Sequence, residues 1–379
     1  MSGQDDRKHP MMRLRGAFDE AARNIASGTT HAALYALLLA VVMVGCAGAE
    51  LLQLRGIQRQ IDEFVSAGAS TYVVDAAGRI DARSCESLAG LDGVQAAGAL
   101  RTADARLTLA RIPSTALPTL EATPGALRAL VSGDSATTRS LAADEFDGVW
   151  LSRQAADTSG AATGSLEALL DGGNVRIAGV YESPDDGRSG TTAYALVEPV
   201  PVEGTFDQCI VKAWPVPQSM ESLALVSVGD VGTDPNDQPR VRQFNTKLGA
   251  ELDATALFEH RATTVMTPLA AVGGLALGFV AIRLRRLELA SALHCGVPKT
   301  ALMLQSLMET CSWTVAALAL CLPLLAFAWW DWPGFDAGQI VDLAARPLLA
   351  AACGALVGTA VAILAVRERN LFRYFKDRS

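Results

Sequence analysis

The side chains in this 379-residue chain that could do chemistry are mostly carboxylates, arginines and cysteines, and their spacing decides what they can do. Four histidines, His9, His31, His260 and His294, stand apart. No spacing among them would wrap a metal ion, so no metal site is expected. The sequence has no Gly-x-x-x-x-Gly-Lys-Ser/Thr phosphate loop, no Gly-x-Ser-x-Gly, no His-Glu-x-x-His and no Cys-x-x-Cys. Carboxylates are abundant, but neighbours such as Asp185 and Asp186 are what an acidic, solvated surface produces. No catalytic residue is assigned, and any ATP used must be bound by another chain.

The informative residues are Arg285, Arg286, Glu288, Leu289, Leu293, Gly296 and Lys299, followed by Glu309. They lie where one apolar run ends in arginines and the next begins. Leu287, Leu289 and Leu293 have helical spacing, Gly296 stops that short helix, and Pro298 opens the next. A short helix wedged between two membrane spans is placed to receive a push from a soluble partner. A carboxylate at the centre of a span costs roughly 2.5–3.5 kcal/mol on insertion scales. Glu309 is therefore expected to pair with Lys299 or an arginine and lock this segment.

The elements that must position these residues are four apolar runs, near 34–49, 262–282, 301–330 and 343–366. A bilayer core needs about 20 apolar helical residues, because each backbone polar group must be satisfied within its own segment. The first run reaches that length only by continuing through Leu51, Leu52 and Leu54, past Glu50, which is expected to be solvated at the outer end of the span. Lys and Arg cluster before the first run, between the second and third, and after the fourth, whereas Asp331, Asp336 and Asp342 lie between the third and fourth. By the positive-inside rule both termini face the cytoplasm of a multi-pass cell-membrane protein. Val44, Gly45 and Cys46 look like the end of a lipoprotein signal, but the long polar stretch before them argues for retention. Gly274 and Gly278, and Gly354 and Gly358, are two G-x-x-x-G pairs that let helices approach closely, within or between subunits.

The expected plan follows: a cytosolic N-terminus with an amphipathic helix (1–30), helix 1 (31–55), an extracytoplasmic domain (56–260), helix 2 (261–283), a cytosolic coupling helix (284–299), helix 3 (300–330), an outer loop (331–342), helix 4 (343–366) and a cytosolic tail (367–379). Helical stripes at 51–67 and 241–260 are expected to form two stalks. The fold class is a membrane protein with four transmembrane α-helices and a large mixed α/β extracytoplasmic domain on helical stalks.

The net charge of −8 conceals a division: residues 56–260 hold 15 Lys and Arg against 28 Asp and Glu, and the remainder 17 against 12. An acidic outer domain argues against nucleic acid as a ligand. Of seven cysteines only Cys85 and Cys209 fall in that domain. Disulfides persist in oxidising compartments, so these two are candidates for a bridge from the start of the domain to its end. Within the domain, strands are expected at 71–75, 94–101, 107–112, 148–152, 175–181, 193–200, 209–214 and 223–228. Helices are expected at 85–91 and 124–131, a weak turn at 141–146, and loops at 185–190 and 232–238.

Arg285, Arg286, Glu288, Gly296, Lys299 and Glu309 resemble the pattern of the FtsX/MacB-like permease family, the membrane subunits of mechanotransmitting, type VII ABC transporters. The helix around Ala17, Phe18 and Ala21 looks like the family's amphipathic helix. The stretches around Gly148, Val149 and Trp150, and around Val175, Gly179 and Tyr181, look like the outer domain of its MacB-type members. Cys295 departs from the usual small residue before the glycine. The resemblance implies a dimer with a second copy or a related permease, and cytosolic ATPase subunits that press on the coupling helix. It also implies ATP and Mg on those partners with no cofactor on this chain, and an extracytoplasmic partner. The use would be export of a substrate captured outside the membrane, or else the switching of an extracytoplasmic partner. The other reading is a membrane-anchored sensor or scaffold without an ATPase.

Overall fold

The structure, a computed structural model, describes residues 31–131, 146–183, 187–188, 190–229, 238–330 and 336–366. The expected amphipathic helix at 14–26 and the tail at 367–379 lie outside these residues, as do most of the turn at 141–146 and parts of the loops at 185–190, 232–238 and 331–342. The chain forms two compact units, Ile57–Thr255 on one hand and Met1–Gly56 with Ala256–Ser379 on the other.

In chain order the helices are α1 (Ala32–Ser66), α2 (Ala82–Ser87), α3 (Pro124–Val131), α4 (Arg153–Ser159), α5 (Met220–Leu225), α6 (Ala254–Glu259), α7 (Met266–Leu284), α8 (Arg286–His294), α9 (Lys299–Leu320), α10 (Leu322–Trp330) and α11 (Ala337–Ala365). The strands are β1 (Thr71–Asp81), β2 (Val94–Thr102), β3 (Thr119–Ala122), β4 (Val149–Ser152), β5 (Leu166–Ala168), β6 (Asn174–Tyr181), β7 (Leu196–Pro199), β8 (Thr205–Ala213) and β9 (Arg240–Gln243).

Three helical stretches, Ala32–Ser66, Ala254–Leu284 and Ala337–Ala365, are long and apolar enough to cross a membrane. A fourth span exists if α9 and the start of α10, bent by 41°, are counted as one. The 35 residues of α1 rise about 1.5 Å each, so the helix is longer than the bilayer's hydrocarbon core of about 30 Å. Tyr35, Leu39, Met43, Trp313 and Leu348 pack inward. Leu37, Val41, Val272, Val315, Leu322 and Val357 remain exposed on the outside of the helices. A surface this apolar around satisfied helical backbones is suited to lipid rather than water. The chain is a multi-pass membrane protein.

The expected single helix at 300–330 is corrected to two. Pro323 has no amide hydrogen to offer the preceding turn, and the path bends at Cys321, whose own amide bonds back to Ala317 and Leu318. α11 keeps its length despite Pro347 and begins at Ala337, so the expected outer loop 331–342 is corrected to helix over 337–342; the Asp336 carboxylate caps it, accepting from the Gly338 amide at 2.9 Å.

The second unit is built on one nine-stranded mixed sheet in the order β5-β6-β4-β7-β3-β2-β8-β1-β9. Successive apolar residues point to opposite faces, and here both faces are buried. Val73, Ala96 and Ile210 pack with Leu127 and Leu130 of α3. Val74, Ala97 and Val211 pack with Cys85 of α2 and with Met220 and Ala224 of α5. α3 lies directly on β2: a Cβ on Gly98 would collide with the Ala126 amide.

Three sequence expectations fail in this unit. The stretch 223–228 is not a strand but belongs to α5 and the turn after it, because Met220 and Ala224, one helical turn apart, enter the core together. The stretch 107–112 contributes only a bridge, Leu109 to Leu169, since β5 is taken by β6 and Pro113 interrupts the chain. The helical stalk at 241–260 is corrected most strongly. Val241 lies in β9, which pairs antiparallel with β1, Gly249 has a φ of 93°, and helix returns only at α6. Ladder hydrogen bonds to β1 outweigh the helical spacing of Phe244, Leu248 and Leu252. The outgoing stretch 51–67 is helical as far as Ser66.

Candidate functional site

The residues singled out at 285–309 converge where α7, α8, α9 and α11 meet. α7 ends at Leu284, and Arg285 caps both it and α8. The Arg285 guanidinium donates through Nε and Nη2 to the Glu288 carboxylate at 3.0 and 2.8 Å, and through Nη1 to Glu309 Oε2 at 2.5 Å. Glu309 is 4% exposed, and Gln305 Nε2 donates to its other oxygen at 3.4 Å. One arginine therefore ties the end of α7, the first turn of α8 and the interior of α9.

Lys299 does not pair with Glu309. Its Nζ donates to the backbone oxygens of Leu364 and Val366, at 2.9 and 3.1 Å. The last carbonyls of a helix have no intrahelical partner and carry partial negative charge, so Lys299 closes the end of α11 and fastens the start of α9 to it.

α8 ends in a Schellman arrangement. The Gly296 amide donates to the Leu293 oxygen and the Val297 amide to the Ala292 oxygen, with Gly296 at a φ of 87°. That left-handed conformation is open to glycine at little cost. Leu289 is buried, and Leu287 and Leu293 pack beside it against Ile282, Leu302 and Ile363. The leucines that mark the segment in the sequence thus face their own bundle. The exposed residues of α8 are Glu288, Ser291 and His294, with Leu284 exposed before it and Cys295 after it. Arg286, half-buried, opens the helix.

Deeper in the bundle a second polar layer follows. Thr310 donates to the Ser306 oxygen at 2.9 Å, and its hydroxyl lies 3.0 Å from that of Thr359 on α11. Spacing alone does not reveal this layer, because threonines in a helix also bond their own backbone. The four glycines meet within the chain. A Cβ on Gly274 or Gly278 would strike the Ala351 or Ala355 carbonyl of α11, and one on Gly354 or Gly358 the Ala271 or Leu275 carbonyl of α7.

Glu50 requires a correction. It is not solvated but 5% exposed, and it accepts from Arg261 Nε at 2.7 Å. Arg261 also donates to the Phe258 oxygen and stacks on its ring. Gln53, one turn along α1, accepts from the Thr263 amide at 2.9 Å. Arg261 was not distinguishable in the sequence, since an arginine next to an apolar run ordinarily marks a border.

In the sheet unit a disulfide joins Cys85 of α2 to Cys209 of β8, with their Cα atoms 5.9 Å apart. Among the described residues no group of His, Cys, Asp or Glu is placed to hold a metal ion.

No protein-family model and no curated protein matches the chain. Among solved structures, the chain is similar to the periplasmic region of MacB from Actinobacillus actinomycetemcomitans, at 11% identity and a TM-score of 0.34, over 54% of this chain and 99% of that one.

Proposed function

We propose that this chain is the permease subunit of an ABC-type complex, in which cytosolic ATPase subunits press on α8 and the motion drives export of a substrate by way of the sheet domain. The observation that carries this reading is the attachment of α8. Arg285 binds it to α7 and α9 through Glu288 and Glu309, and its leucines bind it to α11. A short helix fastened to three spans on one side and bare along Glu288, Ser291 and Cys295 on the other passes a push to all of them at once. ATP and Mg would sit on the partner ATPase, and no cofactor on this chain. A second copy or a related permease would complete the complex.

Orientation follows from charge, with α8 and both termini cytoplasmic. The disulfide between Cys85 and Cys209 suits a sheet domain outside the membrane, where such bonds persist. An extracytoplasmic partner for that domain fits the same scheme.

The test is purification of the intact complex in mild detergent, with and without Ser291→Trp on the bare face of α8. A nucleotide-binding subunit should accompany the unsubstituted chain and be lost from the variant. If none accompanies the unsubstituted chain in repeated preparations, the reading falls, and a sensor or scaffold without an ATPase takes its place.

A further inference from the structure

α1 is held by a different kind of contact from that between α7 and α11. α7 and α11 are locked backbone to backbone, with four glycines so close to the facing carbonyls that no side chain could stand between them. The glycines of α1 are the opposite case: Gly45, Gly48 and Gly56 have open space where a Cβ would stand. α1 rests instead on side chains. At one end Tyr35 meets Trp313 with ring centroids 5.8 Å apart. Toward the other, Glu50 grips Arg261, and Gln53 takes the Thr263 amide.

We infer that Glu50 and Arg261 form a releasable clasp that sets whether the middle of α1 is joined to the stretch leading into α7 or parted from it. The physical reason is that the pair has two good states and no good intermediate. Joined, each buried charge neutralises the other, and Arg261 is further held by the Phe258 oxygen and ring. Fully parted, each charge can reach water at the border of the apolar runs, Glu50 near the end of the run within α1 and Arg261 before α7 begins. Half parted, both are desolvated and unpaired, which is the costly arrangement. Side-chain contacts can break and re-form without remodelling a helix, whereas the α7–α11 contact cannot. The element the clasp releases runs unbroken to Ser66.

The clasp rests on the assignment of α1 and α7 as spans and needs no ATPase, so its failure and the failure of the permease reading are separate results. The test uses the full chain in nanodiscs, with Cys295, Cys311 and Cys353 changed to serine and spin labels at Leu52→Cys and Val265→Cys, both exposed positions. Pulsed electron resonance on this chain should give one narrow distance distribution. Glu50→Gln leaves Arg261 buried and unpaired, and should add a second population at longer distance. Glu50→Leu combined with Arg261→Met removes both charges and should restore the narrow distribution. If Glu50→Gln does not yield monodisperse protein, Arg261→Gln, which leaves Glu50 buried and unpaired, takes its place with the same expected second population. The clasp is overturned if the single variant superimposes on the unsubstituted chain, or if the doubly apolar variant stays broad.

Discussion

Arg285 serves two carboxylates on two helices, Glu309 inside α9 at 2.5 Å and Glu288 on α8 at 2.8 Å, yet the two differ sharply in exposure. The Glu309 side chain is 6% exposed and that of Glu288 60%. The same arginine therefore makes one buried bond and one solvated bond.

That asymmetry predicts unequal costs. Glu309→Ala removes the buried partner of the Arg285 guanidinium, which keeps only the solvated Glu288, and should destabilise the chain by about 1–3 kcal/mol. Glu288→Ala should cost under about 1 kcal/mol. Thermal unfolding in detergent separates them, and equal losses from both would show that the buried bond is not the one holding the segment.

The glycine contacts make a second contrast. A methyl group on Gly278 meets the Ala355 carbonyl, so Gly278→Ala should cost about 1–3 kcal/mol through forced separation of α7 and α11. Gly45→Ala on α1 adds the same atom into open space and should change stability by less than about 1 kcal/mol. A Gly278→Ala chain as stable as the parent would rule out the close packing described.

The Cys85–Cys209 bridge closes a sequence separation of 124 residues. On the chain-entropy account a loop of that order is stabilised by about 3–5 kcal/mol. Replacing both cysteines with alanine should lower the melting point of the sheet domain and open it to limited proteolysis, while leaving α7 and α11 protected. Unchanged proteolysis of the double variant, with and without reductant, would contradict the bridge.

Asp81 supplies a pH dependence. The Ser84 hydroxyl and then its amide hold the Asp81 carboxyl below the usual carboxylate range, and the amide bond, 2.8 Å long, caps α2. Because the folded value lies below the unfolded one, the charged cap's contribution is fully present above about pH 4 and fades as pH falls through the lowered value. Asp81→Ala should cost about 1 kcal/mol at neutral pH, with the gap to the parent closing as the solution is taken toward about pH 3. A gap constant with pH would place the stabilisation elsewhere.

Much of the architecture was legible because its signals are local. A run of about 20 apolar residues admits few alternatives to a span, which is why helices cover the runs near 34–49, 262–282 and 343–366. α3 was readable because Ala126, Leu127 and Leu130 recur at helical spacing. β9 and α5 were not. Phe244, Leu248 and Leu252 carry helical spacing, but β1 offered Val241 an open edge, and ladder pairing depends on a strand far away in sequence.

The site divides in the same way. The sequence by itself determined that a short helix rich in charge follows the second apolar run, that Gly296 ends it, and that a carboxylate in the third run needs a cation. Only the tertiary structure decided which cation. Lys299 turned to the end of α11, Arg285 took Glu309, and Glu50 found Arg261 at the other end of the bundle. The cost of a buried charge is written in the residue type. Its partner is set by which helix ends the packing brings within 3 Å or so, and that distance is a property of the fold alone.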